Sequence, residues 1–218
     1  MENQNLAISF VNRKYKFTDE TKIVDGHVLH RIVAIKDFGR IKAGTEGGFV
    51  EKYENLSSGG SCWVADDAMV YGPYAQIADY AVVGGNSRIS GSVKIAGFTK
   101  VIGKCKITSI VDTWNDAKDI AVLIWGNTVI SGNCVISGKN IRIRNSIING
   151  SGSVTIGENT YISHNSEISG TVKLKGAKVS KTTIGPGKIT VINTPLEYCK
   201  ITGTHTIKDQ HLISCKTL

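Results

Sequence analysis

Five histidines, a group of cations and one tryptophan are the residues whose chemistry could go beyond packing. Histidine is the side chain best suited to take up a proton near neutral pH. Of His27, His30, His164, His205 and His211, only His164, in YISHNSEISG, falls in a regular mid-chain repeat. It follows Ile162 by two, where a side chain can face outward, as a general base or simply as a solvated corner residue. Arg88 and Lys106 each stand one residue before an aliphatic one, and Lys139, Arg142 and Arg144 form a second basic group. Trp114, among polar residues in VDTWND, could stack on a base or plug a corner. Cations beside an aromatic suit an anionic small molecule of the nucleotide type, or an acidic protein partner. No metal is expected, because the other four histidines fall near the two ends of the chain and share no evident site.

What positions these residues is a repeat. Ile77, Val83, Ile89, Ile95, Val101 and Ile107 are spaced by six without a slip, and Ile156, Ile162, Ile168 and Leu174 repeat the spacing. Two residues before the first run sit Ala75, Ala81, Ser87, Val93, Thr99 and Cys105, mostly small. A period of six fits neither a helix nor a simple alternating strand. It fits a short strand followed by a corner, three of which close a triangular coil with the aliphatic residue pointing to the axis. Successive coils then pair as parallel strands. Arg88 and Lys106 should stack on one face, about 4.8 Å apart, which is unfavourable unless an anion or acidic side chain lies between them. Glycines such as Gly85, Gly91, Gly97 and Gly103 supply the corners. Pro73 adds one residue between Val70 and Ile77, and SIVDTWNDAKDIAVLIWG, near 109–126, reads as a loop leaving a corner. Cys62, Cys105, Cys134 and Cys199 occupy the small inward position and read as buried filler with no disulfide or metal role.

The bulk properties agree. The chain has 218 residues with 24 glycines and 3 prolines, which suits a β architecture with short corners. Net charge is +8, and residues 171–218 supply +6 of it, from eight lysines against Glu197 and Asp209. No apolar run approaches the roughly 20 residues that cross a bilayer. The start, MENQNLAISFVNRKYKF, shows no secretion signal, so a cytoplasmic location without membrane contact is the expectation. Residues 1–60 escape the period and read as strands and turns: ISFVNRKYKF, HVLHRIVAI, FGRIKAG and GFVEKYENL. An open coil end exposes unpaired edges, so this segment is expected to be a small N-terminal β cap on a coil formed by 61–218.

The six-residue pattern over roughly 61–215 resembles the hexapeptide repeats of left-handed parallel β-helices, the fold of many acyltransferases and of γ-class carbonic anhydrases. That makes the fold class all-β. Lys42-Ala43-Gly44, Gly47-Gly48-Phe49-Val50-Glu51, Asn55-Leu56-Ser57 and Cys62-Trp63-Val64 resemble the cap of a bacterial and bacteriophage family usually labelled acyltransferases on fold alone. The resemblance implies an acyltransferase using acetyl-CoA or another acyl-CoA, with His164 as general base in a segment resembling those enzymes' GHN strings. It also implies a homo-oligomer, a trimer first, and a mobile-element origin, which would place the protein in a host cytoplasm. Against the enzyme stand the short C-terminal end and the lack of an acidic partner for His164. The residues therefore favour a non-catalytic protein that sequesters an anionic nucleotide-type signal or docks an acidic host protein, with no cofactor, as in counter-defence. Arg142, Arg144, Lys139, Trp114, Arg88 and Lys106 would bind the ligand, and nothing points to sequence-specific nucleic acid.

Overall fold

The computed structural model describes residues 13–109, 122–138, 141–144, 147–156, 161–162, 167–169, 172–175, 178–180, 182–184, 189–192, 196–208 and 212–213. Among them every regular element is a β-strand, apart from one 3-10 turn at Tyr53–Asn55. The protein is all-β with a mostly parallel sheet.

The described chain opens on an antiparallel hairpin. β1 (Tyr15–Val24) pairs with β2 (His27–Ala34), from Tyr15 against Ala34 to Val24 against His27. The two residues between, Asp25 and Gly26, both take positive φ, 51° and 82°. This backbone matches the twist of hairpin strands, and Asp-Gly is well suited to it. β1 runs through TDETKIV, beyond the ISFVNRKYKF segment expected to be the strand. FGRIKAG, also expected as a strand, makes only a bridge between Phe38 and Ile41. Asp37 accepts from the Lys42 amine and the Ala43 N–H and closes a turn there. β3 (Glu46–Val50) is the seam of the molecule. It pairs antiparallel with β2 on one edge and parallel with β5 (Met69–Tyr71) on the other.

From β3 onward the pairing between strands is parallel and falls into three columns. β4 (Trp63–Val64), β7 (Val82–Val83), β10 (Lys100–Gly103) and the start of β13 (Val129–Gly138) form one. β5, β8 (Arg88–Ser90), β11 (Lys106–Ser109) and the end of β13 form the second. β6 (Gln76–Ile77), β9 (Val93–Ile95), β12 (Val122–Trp125) and β14 (Ile141–Arg144) form the third. β15 (Ile147–Ile156) follows β13, and ten shorter strands continue the series to Leu212–Ile213. The inward residues Val64, Val70, Ile77, Val83, Ile89, Ile95, Val101, Ile107, Ile124, Ile130 and Ile136 are all fully buried. Each contributes on the order of 1.5–3 kcal/mol by leaving water. The chain leaves β11 at Ser109 and returns with Val122 against Val93, so the interruption does not disturb the register.

The corners explain the spacing of glycine and aspartate. Gly85 has φ +67°, and a Cβ there would lie 2.5 Å from the carbonyl oxygen of Gly103 in the next turn of the stack. Asp66, at φ 55°, accepts the Gly85 N–H at 2.7 Å, and Asp79, at φ 58°, accepts that of Gly97 at 3.0 Å. Each aspartate thus clips its corner to the next. The extra residue at Pro73 is bracketed by the buried Asn55, whose amide donates to the carbonyls of Gly72 and Ala75. The small inward positions are buried as expected, and Cys62, Cys105 and Cys134 are free buried thiols. Cys199 corrects that reading: it is buried but disulfide-bonded, with its partner outside the described residues.

Candidate active site

In β3, β5, β8 and β11 the residues that enter the main core are Val50, Val70, Ile89 and Ile107, so strand alternation sends their neighbours to the opposite face. The outer face of this column therefore carries Phe49 and Glu51, then Met69 and Tyr71, then Arg88 and Ser90, then Lys106 and Thr108. The β1–β2 hairpin covers the first two rungs. Leu29 packs with Phe49, Met69 and Tyr71, and Val24 lies against them. This brings the hairpin tip, Asp25 to His27, over the polar ends of those rungs.

Four groups meet there. The His27 Nδ1–H donates to Glu51 Oε1 at 2.7 Å, and Glu51 Oε2 accepts the Gly72 N–H at 2.6 Å. Burial pushes the Glu51 carboxyl up, but the hydrogen bonds from His27 and Gly72 outweigh it and hold the group below the ordinary glutamate value. With Nδ1 engaged by a carboxylate, Nε2 is the ring's proton acceptor. The His27 side chain is 35% exposed, so a substrate can reach it. Beside it, the Tyr71 hydroxyl donates to Asp25 Oδ2 at 2.6 Å, and the two rings lie 5.3 Å apart. Burial and the bond to Asp25 raise the phenol's pKa against the opposing pull of Ser90 and Arg88, so Tyr71 stays a donor. Ser90 Oγ donates in turn to Thr108 Oγ1 at 3.2 Å.

Arg88 and Lys106 are direct register partners on this same face, and both are exposed. Neither has an ion-pair partner among the described residues. Arg142 and Arg144 belong to β14 in the third column, opposite Leu123 and Trp125, so they do not share the column of Arg88 and Lys106. Lys139, Trp114 and His164 lie outside the described residues. Two of the sequence-chosen cations, Arg88 and Lys106, thus lie on the strand column whose first rungs the hairpin covers, and His27, which the sequence places in the cap, sits at the tip of that hairpin. The missed signal was Asp25-Gly26, a hairpin turn that puts His27 at a tip. Glu51 was read only as part of a cap motif, because its partner lies 24 residues away.

A groove of about 650 Å³ runs along β1 and the 43–46 turn, lined by Lys16, Thr18, Asp19, Ile35 and Glu46 among others. No histidine or cysteine lines it. Among the described residues no three of His, Cys, Asp and Glu are grouped to hold a metal, and no helix is long and apolar enough to cross a membrane.

No protein-family model matches the chain. It is 33% identical over 84 residues to Uncharacterized acetyltransferase YdcK of Escherichia coli (strain K12). The match covers 34% of this chain and 24% of that protein, so the chain spans about a quarter of the length of the curated relative it matches.

Proposed function

We propose that the chain is an acyl-CoA-dependent acyltransferase built on a left-handed parallel β-helix, with His27 as the general base. The observation that carries this reading is the His27–Glu51 pair, held over the strand column that further along carries Arg88 and Lys106 without ion-pair partners among the described residues. Nε2 of His27 takes the proton from an acceptor hydroxyl or amine as that group attacks the thioester carbonyl, and the coenzyme thiolate leaves. Glu51 fixes the orientation of the ring. Arg88 and Lys106 meet the phosphates of acetyl-CoA or another acyl-CoA with charge-assisted hydrogen bonds. The likeness to an Escherichia coli protein named as an uncharacterized acetyltransferase and the six-residue period support the reading. The chain assembles side by side as a homo-oligomer, a trimer first; the exposed Tyr80, Phe98, Ile102 and Val129 favour this.

A second reading, non-catalytic sequestration of an anionic ligand, is favoured by the stacking of Arg88 on Lys106 with no acid between them. One assay separates the two: release of free thiol from acetyl-CoA with a panel of amine and hydroxyl acceptors. His27→Ala should lower turnover about 10²-fold or more, within the usual range for a general base, while His164→Ala leaves it unchanged. Loss with His164→Ala alone would move the base to that residue. No thiol release, together with nucleotide binding that Arg88→Glu with Lys106→Glu abolishes, would establish sequestration instead.

A further inference from the structure

A second reactive pair lies where the hairpin meets the stack, and no step of the proposed transfer uses it. Lys14, just before β1, is buried, as is Cys62, just before β4. The Lys14 Nζ donates to the carbonyls of Gly59 and Gly60 at 3.4 and 3.3 Å and lies 3.2 Å from Cys62 Sγ. The ring of Phe38 covers it at 4.9 Å. No carboxylate pairs with Lys14 among the described residues. Burial pulls the amine's pKa down and pushes the thiol's up, and the contact between them opposes both effects. A buried lysine is ordinarily matched by an acid; this one is matched by a thiol.

We propose that Lys14 and Cys62 are a modification site at which peroxide forms a covalent S–O–N cross-link. In the first step Lys14 takes the thiol proton as sulfur attacks a peroxide oxygen. The O–O bond breaks, Cys62 becomes a sulfenic acid, and Lys14 returns the proton to the departing hydroxide, which leaves as water. In the second step a second peroxide is reduced to two waters. It removes one hydrogen from the sulfenic hydroxyl and one from the amine as the O–N bond forms. Two peroxides give three waters in all. Closure needs only a small shift of the lysine's flexible end. The link joins residues 48 apart in sequence and fastens the start of the hairpin to the top of the stack. Closing a loop of that kind restricts the unfolded chain and raises stability.

The test is hydrogen peroxide treatment of the full chain, followed by non-reducing digestion and mass spectrometry. The expected product is a linked peptide pair containing Lys14 and Cys62, gaining one oxygen and losing two hydrogens. Dithiothreitol should return it to the starting mass. The melting temperature should rise on oxidation and fall back on reduction. Lys14→Arg and Cys62→Ala should each abolish the product, and the wild-type peptide map decides the matter even if those variants fold poorly. Recovery of Cys62 as a free thiol, or as a sulfinic acid with Lys14 unmodified, overturns the proposal. So does a product at Cys105 and Cys134 alone that loses two hydrogens and gains no oxygen, since that is a disulfide.

Discussion

The hairpin and the parallel stack below it fill their interiors in opposite ways. In the stack, aliphatic residues such as Ile89, Ile95 and Ile107 point inward, and the exposed Arg88, Lys100 and Lys106 keep their charges in water. In the cap, polar side chains reach the interior and are satisfied across long stretches of sequence. The Tyr15 hydroxyl lies 3.1 and 3.2 Å from the carbonyls of Tyr53 and Leu56. Arg31, only 15% exposed at its side chain, donates to Gly47 O, Glu20 and Asp67, and its guanidinium sits 4.3 Å over Phe49. The stack is stabilised by repetition, so equivalent positions are nearly interchangeable. The cap has to end a sheet, change strand direction at β3 and cover an edge, and each of those tasks is done once by particular residues.

Substitution can break or sharpen this contrast. The largest effect is expected in the stack's axis. Ile107→Ala removes a fully buried side chain and should cost about 2–5 kcal/mol in chemical denaturation, with Ile89→Ala similar. A large difference between the two would mean that the rungs are not equivalent. Next comes Asn55→Ala at the seam. It strips partners from two buried carbonyls and from the Lys52 N–H, for a loss of about 1–3 kcal/mol.

Glu51→Gln should have a smaller and pH-dependent effect. The folded Glu51 pKa lies below the ordinary 4.5. Its contribution is therefore complete above 4.5 and fades as pH falls through the folded value. Thermal melts of the wild type and Glu51→Gln should differ near neutrality and converge in acid; a constant gap would remove Glu51 as the source. The smallest effect is expected for Lys42→Ala. Its bond to Asp37 joins two exposed side chains, and exposed pairs contribute little, so melting should not move measurably.

The stack was largely legible in the sequence, the site only partly. Ile77 to Ile107 declare their burial by spacing alone, and Ala81, Ser87 and Thr99 declare the small inward positions. Arg88 and Lys106 could be placed on one face because residues one turn apart must pair. His27 could not be assigned to that face. Its position depends on the Asp25-Gly26 turn, on antiparallel pairing of β2 with β3, and on a carboxylate beyond β3. FGRIKAG is expected as a strand but is folded into a turn, because Asp37 accepts from the Lys42 amine and the Ala43 N–H.

By itself the sequence determined an all-β chain, the inward aliphatic residues, the corner glycines and the shared face of Arg88 and Lys106. These follow from a local period, because each turn of the stack meets its neighbours at a fixed separation along the chain. Tertiary structure decided that the hairpin lies over the first rungs of that face, that His27 meets Glu51 there, and that a buried lysine faces a thiol. Those contacts join residues at unrelated separations, so no period encodes them; they exist only once the strand direction changes at β3.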